Sequence, residues 1–390
     1  MTEIYVFVVC GSKEHIDTLH FSLIYLSKYS QKEIFVLTDS SRNEVGINWK
    51  NIIDVQTPNE LDHHQASIYL KTGIFKFVPK GNLYCYLDTD ILAITNNCDE
   101  IFKEFTAPIS FATDHCAMSS FSAYAVNCSC LARNESDRIV FNEVFKKLDR
   151  NNQLNSFDQR LERAGIRKVY QNIENALLKK LTLALRYMIS FKYFKLNKKY
   201  TLNKSTKEWS LSNGEVVKYE LNYSKLEKAT GIRLNKWKGT WLNSQNENIF
   251  DTRCNHLQQQ IKETFDVDVV NSNFRHWNGG VFLFDDSSHK FLESWHFKTM
   301  SIFDLEKWKT RDQGTLIATV WEFCLQEHDV LHKKWNFIAD YYNEDLFCDL
   351  ERGIISDNAF QSTIEPNFIH VYHHWADSSW DVWKWIKQKM

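Results

Sequence analysis

A chain of 390 residues is long enough for one large core carrying an insertion, and 43% hydrophobic with 25% charged residues, 4 Pro and 12 Gly exclude both a disordered protein and one strung on flexible linkers. A net charge of -2 supplies no field to gather nucleic acid. The 9 Cys are scattered and odd in number, which reads as reduced thiols; the one close pair, Cys128-Ser129-Cys130, has no partner pair at zinc-site spacing.

In chain order, Ile4 to Val9 is apolar and stops at Cys10-Gly11-Ser12, the pattern of a buried parallel strand running into a loop. The six residues are too few for a secretory core, and no run approaches the roughly 18 apolar residues of a membrane span, so a cytoplasmic compartment is expected. Leu19, Leu23, Ile24 and Leu26 recur at helical spacing between Ile16 and Tyr29, and Ile34 to Leu37 forms a second apolar run, which together predict a βαβ unit. A helix is predicted over Gln65–Phe77, with Ile68, Thr72, Phe75 and Phe77 sharing a side. Leu83 to Leu87 then reads as a buried strand ending in Asp88-Thr89-Asp90.

The middle differs in character. From Arg167 to Lys204 ten Lys or Arg stand against one acid, Glu174, interleaved with Leu177, Leu178, Leu181, Leu185, Met188 and Ile189. Such a basic amphipathic stretch suits either an anionic membrane surface or a helix packed on a core with its cationic side in water. Segment 200–250 is polar, with Trp209, Trp237 and Trp241, and reads as loops and short elements. Val281 to Phe284 forms a strand after Asn278-Gly279-Gly280, and helical spacing follows from Phe291 and from Gln313 to Phe323. The division expected is 1–165 as one half of an α/β domain, 166–250 as a mainly helical basic insertion, and 251–390 as the second half.

Two carboxylates at the mouth of a buried strand lie where ligands of open α/β sheets gather, and hard cations use such carboxylates together with substrate phosphates. Two acids can also simply end a strand and cap the next helix. Several ordered patterns go further: Tyr69-Leu70-Lys71 before Phe75 and Pro79, LYCYLDTDILAI, HWNGGVFLFD, RDQGTLI, KKWN and FIHVYHHWADSSW. In this succession the chain resembles a divergent member of the family 8 glycosyltransferases, the group with the lipopolysaccharide galactosyltransferases and glycogenin.

The resemblance implies a GT-A fold with a mixed, Rossmann-like sheet, a nucleotide-sugar donor (usually a UDP-sugar), a divalent metal, Mn²⁺ or Mg²⁺, and retention at the anomeric carbon. Carried over, Asp88, Asp90 and His370 are the metal ligands. Val9, Cys10, Gly11, Lys71, Thr89, Asn278, Gly279, Gly280 and His373 join the two acids around the donor, and Asp312, Gln313 and Asn278 fall at the reacting sugar. Val9-Cys10-Gly11 stands where the family usually has acidic, Asn and Tyr residues on uracil; Lys71 replaces an Arg, and the final segment lacks the family's G-x-x-K-P-W residues. The acceptor implied is a saccharide or lipid-linked saccharide, with 167–204 as a candidate membrane contact. The alternatives are a haloacid-dehalogenase-like phosphotransferase with Asp88 as nucleophile and a carbohydrate-binding scaffold without turnover.

Overall fold

Strand β1 (Glu3–Val8) is buried from Ile4 to Val8, so both of its faces are covered. Helix α1 (Lys13–Tyr29) starts at Ser12, whose side chain accepts the His15 amide, and buries Ile16, Leu19, Leu23 and Leu26. Ile24, expected on that face, is 51% exposed, because one residue turns a helix by about 100°. Strands β2 (Glu33–Thr38) and β3 (Ile52–Asp54) follow, then α2 (His63–Thr72), β4 (Leu83–Leu87), β5 (Ile91–Ala93), β6 (Ser110–Ala117) and α3 (Met118–Ala125). The computed structural model describes residues 1–390 except 155, 175, 237, 310, 311, 343–345, 351–353 and 358–361; Trp237 and the Arg311 of RDQGTLI therefore lie outside the described residues.

Helix α2 begins earlier and ends sooner than its apolar spacing suggests. Asp62 and Gln65 form a capping box at its start, and it stops at Gly73, where an added Cβ would lie 2.8 Å from the Tyr69 carbonyl. Phe75 falls in the separate short turn Ile74–Lys76.

The chain divides into two compact units, the first Met1–Cys130, Thr252–Asn343 and Glu365–Met390, the second Leu131–Asp251 and Glu344–Ile364. The second unit therefore starts well before residue 166, because α4 (Glu135–Leu148) places Phe141 in one apolar cluster with Leu226, Ile232 and Ile249. It continues with α5 (Phe157–Glu174), α6 (Leu177–Ile189), the strands β7 (Tyr193–Lys195), β8 (Thr201–Asn203), β9 (Glu208–Ser210) and β10 (Val216–Tyr219), α7 (Tyr223–Thr230), and the pair β11 (Arg233–Asn235) and β12 (Thr240–Leu242). Strands β7 to β10 make an antiparallel sheet around buried Phe194, Leu202 and Trp209, an element beyond the expected helices.

The first unit resumes with α8 (His256–Phe265), β13 (Arg275–Phe284), α9 (His289–Ser301), α10 (Gln313–Glu322) and β14 (Phe337–Ile338). After β15 (Phe347–Asp349), β16 (Ile354–Asp357) and β17 (Ser362–Ile364) of the second unit, it ends with β18 (Phe368–His370) and α11 (Asp381–Gln388). Its sheet runs β3-β2-β1-β4-β13-β6, parallel through β4, with β13 antiparallel to both neighbours. Alternate residues of β1 feed opposite cores: Tyr5 and Phe7 pack with Leu19 and Leu23 of α1, while Ile4, Val6 and Val8 pack with Leu70 of α2, Trp295 of α9 and Leu316 of α10. This is the α/β architecture expected, a mixed sheet flanked by helices. A smaller sheet, β14-β18-β5, sets His370 opposite Ile91.

Candidate active site

A cleft of about 420 Å³ opens at the carboxyl ends of β1 and β4, with Val9, Cys10, Lys71, Asp88, Asp90 and Asp312 in its wall. β4 is buried throughout and β1 from Ile4 onward, so their carboxyl ends are where polar side chains reach water. The Asp88 amide donates to the Gly280 carbonyl at 2.9 Å, and the Ile91 amide returns to the Asp88 carbonyl at 3.1 Å, fixing the turn that carries both acids. Antiparallel pairing of β18 with β5 then delivers His370 to the same point.

One donor atom each from Asp88, Asp90 and His370 lie within 4.8 Å of one another. His370 Nε2 is 3.4 Å from Asp90 Oδ1, and its Nδ1 meets Asn336 Oδ1 at 3.0 Å. Asn336 Nδ2 donates to Asn278 Oδ1 at 2.8 Å, and Asn278 Nδ2 donates to Asp114 Oδ2 at 2.9 Å. Read from the buried carboxylate outward, this chain makes Asn336 Oδ1 an acceptor and so places a proton on His370 Nδ1. Nε2 is then the atom that faces the acids; burial lowers the imidazole, but Asp90 outweighs it and raises the group, so Nε2 carries a proton toward Asp90 that a metal ion would replace. Two carboxylates and one such nitrogen fit Mn²⁺ or Mg²⁺.

Lys71, on the last turn of α2, lies 3.2 Å from Asp88 and 3.1 Å from Asp312 with 12% of its side chain exposed. Burial lowers the Lys71 ammonium, but Asp88 and Asp312 outweigh it and leave the group raised. Burial also raises the Asp312 carboxyl, and Lys71 outweighs that to hold it below the usual range. Asp90 is lowered because His370 overcomes burial, whereas Asp88 is raised: burial and the neighbouring Asp90 exceed the pull of Lys71. The pair is thus short of positive charge on the Asp88 side, the imbalance that a divalent cation removes.

Asn278, Gly279 and Gly280 lie inside β13 and not in a loop before it. The register with β6 breaks between Asn278 and Phe282, a bulge that re-aims these residues toward the site. Gln313 is fully engaged there: Oε1 accepts the Gly279 amide at 3.2 Å, and Nε2 reaches the Trp277 carbonyl and His276 Nδ1. Thr89 lines the cleft with the two acids. Gly11 stands outside the wall, turning the chain at φ +107° with its amide on Asn43. His373 is exposed, its ring tilted against Tyr372; Tyr372 and Trp375 form that part of the wall instead. Asn336, Asp114 and Tyr86, which donates to Asp88, were not singled out from sequence. Of these, Asn336 and Tyr86 carried a signal, their places in KKWN and LYCYLDTDILAI.

No protein-family model and no curated protein matches this chain. Among solved structures it is similar to the galactosyltransferase LgtC in complex with donor and acceptor sugar analogs, at 9% identity over 99% of this chain and 95% of that one, TM-score 0.40. It is similar also to mouse xyloside xylosyltransferase 1, apo form, at 11% identity over 95% and 98%, TM-score 0.37. The bifunctional WbbM glycosyltransferase, apo, matches at 8% identity over 86% of this chain and 39% of that one, TM-score 0.34. Likeness this distant carries no argument about function, which rests on the residues of this chain.

Proposed function

We propose that this chain is a retaining, metal-dependent glycosyltransferase of the GT-A type, moving a sugar from a nucleotide-sugar, by resemblance a UDP-sugar, to a saccharide or lipid-linked saccharide. The observation that carries the reading is the convergence of Asp88 and Asp90, from the turn that follows β4, with His370 of β18, in a cleft at the carboxyl ends of a mixed sheet. Mn²⁺ or Mg²⁺ held by these three residues would supply Lewis-acid neutralisation of the leaving diphosphate.

The chain's own residues divide the remaining work. Val9 and Cys10 offer an apolar wall to the base, and Lys71 holds Asp312 toward the cleft. The Asp312 carboxylate is the group placed to oppose positive charge at the anomeric carbon. Gln313, committed to Gly279, Trp277 and His276, positions the bulge. Asn278 ties that bulge to His370 through Asn336. The phosphotransferase alternative draws no support from the site, since its two acids close β4 behind a complete βαβ unit instead of opening the domain.

Release of nucleotide from UDP-, GDP-, CMP- and ADP-sugars, with Mn²⁺ present or chelated, tests the proposal. We expect one donor to be hydrolysed only with metal, and Asp88→Asn or Asp90→Asn to cut the rate by on the order of a hundredfold or more. Turnover that ignores both metal and substitutions would sink the reading; binding without turnover would favour the scaffold.

A further inference from the structure

Cys128, Cys130, Cys254 and His256 offer three sulfurs and one imidazole nitrogen within 4.8 Å of one another, and none of them lines the cleft. Sequence spacing gave Cys128-Ser129-Cys130 no partner. The fold supplies one, Cys254-Asn255-His256, which the whole of Leu131–Asp251 separates from it in the chain. We propose that these four residues form a structural zinc site that fastens the point where the chain leaves the first unit to the point where it returns.

The geometry suits the ion. Zinc–sulfur bonds of about 2.3 Å and zinc–nitrogen bonds of about 2.05 Å at a tetrahedral angle place sulfur and nitrogen roughly 3.6 Å apart. Cys130 Sγ and His256 Nδ1 are 3.6 Å apart. The second ligand pair is held before any ion arrives: the Cys254 amide donates to the Ser119 carbonyl at 3.1 Å, and the Leu257 amide donates to Ser122 Oγ at 2.9 Å. The Ser122 hydroxyl also lies 3.1 Å from Cys254 Sγ, where it can donate to the thiolate and orient it.

Ligand chemistry separates this site from the cleft. Three soft thiolates and an imidazole select zinc, whereas two carboxylates and an imidazole suit Mn²⁺ or Mg²⁺. Four protein ligands leave no open position, so the role is structural and not catalytic. Binding releases the three thiol protons to solvent and leaves a centre of net charge about −1, two positive charges against three thiolates. Closing a loop as long as the insertion also removes more freedom from the unfolded chain than a short clip would.

The test is metal analysis of the full chain produced in zinc-supplemented medium, as wild type, Asp88→Asn/Asp90→Asn, and Cys128→Ser/Cys254→Ser. A single zinc per chain in the first two and none in the third is the expected result. Zinc absent from wild type, zinc undiminished in the cysteine variant, or a disulfide among Cys128, Cys130 and Cys254 in a peptide map overturns the site. Should the cysteine variant fail to fold, cobalt substitution of wild type decides. A sulfur-to-cobalt charge-transfer band with strong tetrahedral visible bands supports the site, and a weak octahedral spectrum overturns it.

Discussion

Gly280 shows how little room a single position leaves at the site. A Cβ there would stand 2.9 Å from both Asn278 Oδ1 and His370 Cε1, closer than atoms settle without moving. We expect Gly280→Ala to push the His370 ring away from the acids and lower metal-dependent donor hydrolysis by on the order of a hundredfold, with a nearly unchanged melting temperature. Unaltered turnover and metal affinity would show that the ring does not serve the ion. His296, on α9 and packed against Tyr69 and Thr72 of α2, makes a different kind of forecast. Burial and the nearby Lys76 lower its imidazole to about 4, and Thr72 Oγ1 meets its Nδ1 at 2.8 Å. The fold therefore favours the neutral ring, and the stability this gives is present above an ordinary histidine pKa of about 6.5 and is lost as the pH falls toward 4. Unfolding free energies from denaturant titrations across that window should fall in wild type, by up to roughly 3 kcal/mol, and fall less in His296→Gln. Asp88 and Asp90 were legible in sequence as a pair of acids closing an apolar run. Asp114 was not, because its role depends on Asn278, a residue far along the chain that β-sheet pairing brings beside it.

Among the elements, β1, α1, β2 and β4 could be read directly because each carries a short, strong apolar pattern bounded by a turn. Helix α2 was read too long because Phe75 and Phe77 continue the apolar spacing past Gly73, where the backbone leaves the helix. Strand β13 was read too short because Gly279 and Gly280 resemble a loop, while a glycine inside a strand pattern also marks a bulge. Helix α6 had two readings, and the structure leaves Leu177, Leu178, Leu181, Leu185, Met188 and Ile189 exposed along one stripe, beside Lys179 and Lys180. No described helix is long and apolar enough to cross a membrane. We propose that this exposed apolar stripe flanked by lysines rests on the surface of an anionic bilayer. The full chain should co-sediment with vesicles rich in anionic lipid and be released when Lys179, Lys180, Arg186 and Lys192 are reversed to Glu; sedimentation indifferent to that reversal argues against the contact.

At the scale of the molecule, the division of the α/β core into two halves around an inserted segment could be read from the return of strand-like runs after residue 250. Its detailed boundary could not, because α4 joins the inserted unit through contacts with residues nearly a hundred positions later. The order of the central sheet was equally hidden: β13 lies between β4 and β6, and the pairing of strands so distant in sequence leaves no local mark on either. That placement has a kinetic consequence. Strands β1, β2 and β4 can pair early, since only short stretches of chain separate them, but Gly280 reaches Asp88, and Asn278 reaches Asp114, only after the long segment between β6 and β13 has been brought round. In refolding from denaturant, recovery of donor hydrolysis should follow the slowest phase of the tryptophan signal; activity returning with the fastest phase would mean that the cleft assembles before its central strand is seated.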